Sequence, residues 1–141
     1  MVEAGSSAVV GACWVDGQLV EPGTATVRAD DHAVVVGDGV FETTGVIDGT
    51  AFALSRHLRR LDRSAAGLGL DEPDEDRIRT AVGEVLAADP SAGLLRITWS
   101  SGAGPWGSGR GSGPGTLVVG SGPPNVWPSA ERVHLVPWAR N

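Results

Sequence analysis

The spacing of apolar positions changes character along the chain. In Trp14-Val15-Asp16-Gly17-Gln18-Leu19-Val20, two short apolar stretches flank an Asp-Gly dipeptide, and the device recurs in Val46-Ile47-Asp48-Gly49-Thr50-Ala51-Phe52. Asp-Gly supplies the positive φ angles of a two-residue hairpin turn, so each segment predicts an antiparallel hairpin. Between them, Val34 to Thr44 is rich in β-branched residues and broken by Gly37 and Gly39. That composition predicts a strand, with the glycines marking a close approach of neighbouring backbones.

From Ser55 the period lengthens. Leu54, Leu58, Leu61, Ala65 and Leu68 follow one another at four, three, four and three residues, one stripe of a helix closed by Gly67 and Gly69. Ser55 is the expected N-cap. Arg56, Arg59 and Arg63 fall opposite the stripe, while Arg60 lies on a flank in line with His57 and Ser64. A second helix is predicted from Asp74 to Ala87, with Ile78, Ala81, Val82, Val85 and Leu86 inward and acidic residues in its first turn. Leu94 to Trp99 is a strand, Gly102 to Gly115 a flexible glycine-rich loop of the kind that forms lids or rims, and Thr116 to Val119 and Arg132 to Trp138 two further strands. The expected organisation is a loose leader over 1–12, a small domain over 13–122, and an interdomain segment with one strand over 123–141. The stop at Arg140-Asn141, directly after a strand-like run, reads as arbitrary.

Composition narrows the function classes. Hydrophobic residues at 41% support a core, and 17 acidic residues against 11 arginines give a net charge of −6. A general nucleic-acid binder needs a basic face to displace counterions, which excludes that class. A single cysteine, Cys13, leaves no internal disulfide and suits a reducing cytoplasm. No apolar run approaches the roughly 20 residues that span a bilayer, so no membrane partner is expected. All 11 cationic side chains are arginine; the chain contains no lysine.

The candidate motifs are sparse. His32, His57 and His134 have no metal-ligand spacing with one another or with Cys13, and Asp30-Asp31-His32 reads as a solvated turn rather than a metal site. No Gly-x-Ser-x-Gly elbow supports a serine hydrolase. Gly102-Ala103-Gly104-Pro105-Trp106-Gly107 resembles a dinucleotide fingerprint only in its glycines: proline stands inside it, no helix opens from it, and no acidic residue follows at the required distance. Arg56, Arg59 and Arg63 are a wet helix face. Arg60 is the better anion candidate, because a partly buried flank position still lets a planar fork reach a phosphate.

Taken together, Trp14 to Val20, Asp31-His32, Gly37-Asp38-Gly39-Val40-Phe41-Glu42-Thr43, His57-Leu58-Arg59-Arg60-Leu61 with Ser64-Ala65, Leu95-Arg96-Ile97-Thr98 and Ser101-Gly102-Ala103-Gly104 resemble, in order, the opening of class IV pyridoxal-phosphate enzymes. That family includes branched-chain aminotransferases, D-amino acid transaminases and 4-amino-4-deoxychorismate lyases. The resemblance implies the small N-terminal α/β (α+β) domain of a fold-type-IV enzyme, an antiparallel sheet with two flanking helices. It implies pyridoxal 5'-phosphate as cofactor, with Arg60 on its phosphate. Phe41, Thr43 and Arg96 would line the substrate pocket, and Val36 would occupy a position that commonly carries an aromatic residue reaching the neighbouring subunit's site. Ser101 stands where D-amino acid transaminases carry a substrate-binding arginine, and the Val-Pro-Trp-Ala-Arg-Asn ending is closest to the lyase branch.

The chemistry of such enzymes rests on an imine between cofactor and amine, and the family's lysine supplies that amine and moves the α-proton. Arginine cannot replace it, since the guanidinium stays protonated. The resemblance therefore places the catalytic lysine shortly after Asn141 and implies that residues 1–141 alone are inactive. The complete protein would be a homodimer with a C-terminal domain. It would act on a small-molecule substrate: an amino acid, a keto acid or aminodeoxychorismate. The competing class is a non-catalytic binding or interaction module derived from this fold.

Overall fold

Both Asp-Gly dipeptides make the turns their sequence predicts, with φ of 46° and 110° at Asp16 and Gly17 and of 49° and 71° at Asp48 and Gly49. They join β1 (Cys13–Val15) to β2 (Gln18–Val20) and β3 (Gly39–Ile47) to β4 (Thr50–Ala51), with helix α1 (His32–Val35) between the hairpins. Helices α2 (Leu54–Leu68) and α3 (Glu75–Ala88) follow, then β5 (Leu94–Ser100) and β6 (Leu117–Gly122). This computed structural model describes residues 11–126, 128–130 and 132–138. The leader up to Val10 and the Arg140-Asn141 pair lie outside the described residues. Among the described residues no helix is long and apolar enough to cross a membrane.

The six strands form one antiparallel sheet in the order β2-β1-β6-β5-β3-β4, a mixed α/β fold with the strand returning from the helices inserted at its centre. Register aligns the side chains in rows. Trp14 pairs with Val119, Val119 with Ile97, and Ile97 with Glu42, all on one face; Val40, Trp99 and Leu117 form the next row of that face. Both long helices cover it, α2 over β3 and α3 over β6 and β1. Leu58, Leu61 and Ala65 of α2 and Ile78, Ala81, Val82 and Val85 of α3 pack into one core with these rows. The opposite face carries Phe41, Thr43, Arg96 and Thr98, because alternate residues of a strand point to opposite sides.

Several boundaries depart from the sequence pattern. Val34 and Val35 lie in a helical turn rather than in a strand: the Asp31 carboxylate caps α1 by accepting from Ala33 N, and Gly37 at φ 74° turns the chain before β3 begins. Of the two glycines, Gly39 is the close approach, since a Cβ there would stand 3.2 Å from the Trp99 carbonyl oxygen. Ser55 is not a cap. The cap position falls two residues earlier, at Ala53, with no side-chain cap, and the Ser55 hydroxyl accepts from Arg79 Nη2 to tie α2 to α3. The helix runs through Gly67 and closes at Gly69 (φ 66°), where Gly69 N donates to Ala66 O and Leu70 N to Ala65 O. This pair of bonds buries Leu70, and Leu68 drops out of the stripe at 47% exposure.

Asp74 caps α3 by accepting from Arg77 N, so the helix begins at Glu75, one residue after the predicted start. Gly11 and Ala12 belong with the sheet rather than with a loose leader, since both amides donate to Ser121. Arg132–Trp138 forms no strand: it is exposed throughout, and no neighbour among the described residues offers a ladder. A strand without a partner leaves its backbone groups to water.

The stripe makes a direct test. Leu61→Ala should destabilise the protein by about 2–5 kcal/mol in urea titrations, whereas Leu68→Ala should cost less than about 1 kcal/mol. Equal losses would mean that α2 is not seated as described.

Candidate functional site

Polar chemistry concentrates where α2 meets β3. Glu42 belongs to the inner row and is 4% exposed, so its carboxylate lies among apolar side chains. Three donors from one face of α2 satisfy it. Arg60 Nε donates to Oε1 at 2.6 Å, Arg60 Nη2 donates to Oε2, and His57 Nδ1 lies 2.8 Å from Oε2. His57 and Arg60 reach the same carboxylate because they stand three residues apart on the helix. The Arg60 hydrogen bond is the largest cause that holds the Glu42 carboxyl below its ordinary 4.5, and His57 adds to it against the opposing effect of burial. The same contact raises Arg60.

The Arg60 side chain is 58% exposed, and only its inner edge is engaged. Among the described residues Nη1 has no protein hydrogen bond. Arg56, Arg59 and Arg63 are exposed, in accord with a wet face. On the opposite side of the sheet Phe41 and Arg96 meet, the guanidinium carbon 3.7 Å from the ring centroid. Thr43 pairs in register with Arg96. Val36 ends α1 and is exposed. The structure thus joins Phe41, Thr43 and Arg96 in one patch and leaves Arg60, which is bound to the helix-covered face, outside it.

The segment expected to be a flexible loop, Gly102 to Gly115, is pinned by backbone bonds, His32 N donating to Gly102 O and Gly104 N to Asp30 O, and by side-chain contacts. His32 Nε2 lies 2.9 Å from the Pro105 carbonyl oxygen and donates to it. Arg110 forks onto Asp38 and also donates to the Leu68 and Gly69 carbonyls that end α2, at 2.7 and 2.6 Å. Arg110 is the largest cause lowering the Asp38 carboxyl below its ordinary range. Asp31 and His32, expected in a solvated turn, are buried at 1% and 0% exposure. Asp31 accepts from Ser100 Oγ at 3.0 Å and Thr116 Oγ1 at 2.6 Å, which ties α1 to the two central strands. No group of three potential metal ligands exists among the described residues.

Sequence reasoning passed over Glu42 and the Asp38–Arg110 pair. For Glu42 a signal existed: Val40, Glu42 and Thr44 alternate in the inward phase of a strand, and a charge in that phase needs a partner. For Asp38–Arg110 no local signal exists, since 72 residues separate them.

Against known proteins, residues 39–140 match the family model for amino-transferase class IV. The chain belongs to the class IV aminotransferase family. Class IV aminotransferases and the lyases related to them are enzymes that depend on pyridoxal phosphate. The bifunctional aminodeoxychorismate lyase / D-amino acid transaminase of Mycobacterium tuberculosis is 45% identical over 93 residues, which are 62% of this chain and 32% of that protein. Among solved structures, a hypothetical aminotransferase from Mycobacterium tuberculosis in its PLP-bound form superposes with a TM-score of 0.68 at 38% identity, covering 79% of this chain and 39% of that one. The 4-amino-4-deoxychorismate lyase of Pseudomonas aeruginosa gives a TM-score of 0.69 at 27% identity over 82% of this chain and 41% of that one. The chain therefore spans about a third to two fifths of the length of these class IV relatives.

Two measurements test this geometry. Because the folded Glu42 titrates below its unfolded value, its contribution to stability is complete above about pH 4.5 and is lost as pH falls through the folded value. The urea midpoint should therefore hold from neutrality to about pH 5 and fall below that, with a shallower acid limb in Glu42→Gln; an unchanged limb would contradict the pairing. The latch is tested separately with trypsin: Asp38→Asn should speed cleavage after Arg110, read by intact mass, and an unchanged rate would show that Asp38 does not restrain that segment.

Proposed function

We propose that this chain forms the part of a pyridoxal-phosphate enzyme that holds the cofactor phosphate and lines one side of the substrate pocket. The observation that carries this is the Arg60 guanidinium, fixed along its inner edge by a buried carboxylate while Nη1 has no partner among the described residues. A planar cation held this way fits a phosphate dianion. The cofactor, once bound, supplies an electron sink for breaking a bond at the substrate's α or β carbon. This chain's residues would orient it: Arg60 binds the phosphate oxygens, and the Phe41, Thr43 and Arg96 patch faces the substrate, Arg96 as the cation for a substrate carboxylate. Val36 would stand toward the neighbouring subunit.

The reaction we favour is release of pyruvate from aminodeoxychorismate to give 4-aminobenzoate. Both the relative from Mycobacterium tuberculosis and the lyase structure from Pseudomonas aeruginosa support that reading. Transamination of an amino acid is the second reading, since the name of the same relative also carries a D-amino acid transaminase activity. Ser101 offers no cation there, which favours the lyase. The lysine that these reactions need is not among residues 1–141. We place it in a C-terminal domain of the same protein, shortly after Asn141, and expect residues 1–141 by themselves to be inactive. The single buried cysteine agrees with a cytoplasmic enzyme, and a homodimer is the assembly we propose.

The complete protein should bind pyridoxal phosphate with visible cofactor absorbance and turn over aminodeoxychorismate to 4-aminobenzoate and pyruvate. Arg60→Ala should weaken cofactor binding by about tenfold or more, and Arg63→Ala should leave it unchanged. Equal effects of the two substitutions would refute the phosphate assignment; keto-acid amination without pyruvate release would favour the transaminase.

A further inference from the structure

Glu42 is the one charged member of its cross-sheet row, in register with Ile97 and beyond it Val119 and Trp14. A carboxylate in an apolar row is costly unless its oxygens are matched by donors, and the same position could hold another apolar side chain. We propose that Glu42 is a positioning residue that holds the Arg60 guanidinium in one orientation for the cofactor phosphate, with His57 steadying the carboxylate. This rests on the phosphate role of Arg60 given above.

The geometry supports orientation rather than charge as the contribution. An arginine on an exposed helix flank samples many rotamers and would have to be ordered by its ligand. Glu42 engages Nε and Nη2 together, a fork-on-fork contact that fixes the guanidinium plane as well as its position. His57 Nδ1, at 2.8 Å from Oε2, prevents the carboxylate from turning about its own axis. What remains for an anion is Nη1 and the second hydrogen of Nη2, on a side chain that is 58% exposed. An arginine ordered in advance binds with less loss of freedom.

Charge alone argues the other way. Glu42 carries one negative charge close to a site meant for a dianion, so its removal would strengthen phosphate binding if charge decided the matter. The sign of the effect therefore separates the two causes. Solvent at the exposed Arg60 head screens the repulsion, whereas among the described residues no other carboxylate replaces the fork.

The test uses the complete protein and two titrants, pyridoxal phosphate and pyridoxal, which lacks the phosphate; binding is followed by absorbance or fluorescence rather than turnover. Glu42→Gln should weaken pyridoxal phosphate about tenfold, the worth of one oriented charge-assisted bond, and change pyridoxal by less than about twofold. In an Arg60→Lys background Glu42→Gln should have no further selective effect, because an ammonium has no fork to orient. Tighter or unchanged pyridoxal phosphate binding, or equal losses for both titrants, overturns the proposal. If Glu42→Gln does not fold, Glu42→Asp serves: it keeps the charge but is too short to span both guanidinium nitrogens, and the same selective loss is expected. If Arg60→Ala leaves the preference for pyridoxal phosphate over pyridoxal at the parent value, the phosphate assignment itself falls and takes the proposal with it.

Discussion

An antiparallel sheet with one apolar face must have that face covered, and the rest of this structure follows from how α2 and α3 do so. The inner rows of β1, β6, β5 and β3 present Trp14, Val119, Ile97, Leu117, Trp99 and Val40, and the two helices bring seven buried side chains down onto them. Seating α2 over β3 places its flank beside Glu42, so the same packing that buries Leu58 and Leu61 delivers His57 and Arg60 to a carboxylate. Without that cover the carboxylate would not be buried, and without the carboxylate the flank arginine would have no fixed orientation.

A second set of polar contacts works at longer range. Asp31 gathers a helix cap, a serine of β5 and a threonine just before β6, while Arg110 spans from its loop to Asp38 and to the last carbonyls of α2. These bonds close the region between α1 and the central strands. Cations at a helix C-terminus are favourable because the carbonyls there have no partners within the helix. Arg110 uses that property to hold a loop whose fourteen residues, half or more of them glycine or proline by composition, carry no regular structure of their own.

Membership of the class IV aminotransferase family gives these contacts a functional setting. The outer face of the sheet carries the Phe41–Arg96 stack and is not covered by either long helix, while the inner face is closed. One face of the sheet is therefore closed by the helical core, while the other carries polar and aromatic side chains outside it. Arg60 stands at the boundary between the two faces, bound inward by Glu42 and exposed outward.

Local sequence determined the two Asp-Gly turns, the stripe of α2, the inward face of α3 and the strands β5 and β6, because each depends on neighbours within a few residues: positive φ at a turn, a period of 3.6 on a helix, alternation on a strand. It also singled out Arg60 on the helix flank, and motif resemblance gave it a role. Where competing local signals existed, tertiary context chose. The valines before Gly37 became a helical turn because Asp31, itself held by Ser100 and Thr116, capped it, and Ser55 turned from a cap into an acceptor for Arg79 of the next helix. The partner of Arg60 and the latch on Arg110 were decided only by the fold, since each joins residues distant in the chain whose pairing depends on which strand lies beneath which helix. A single sequence records the donors and acceptors, but their distances are set by the packing of the core between them.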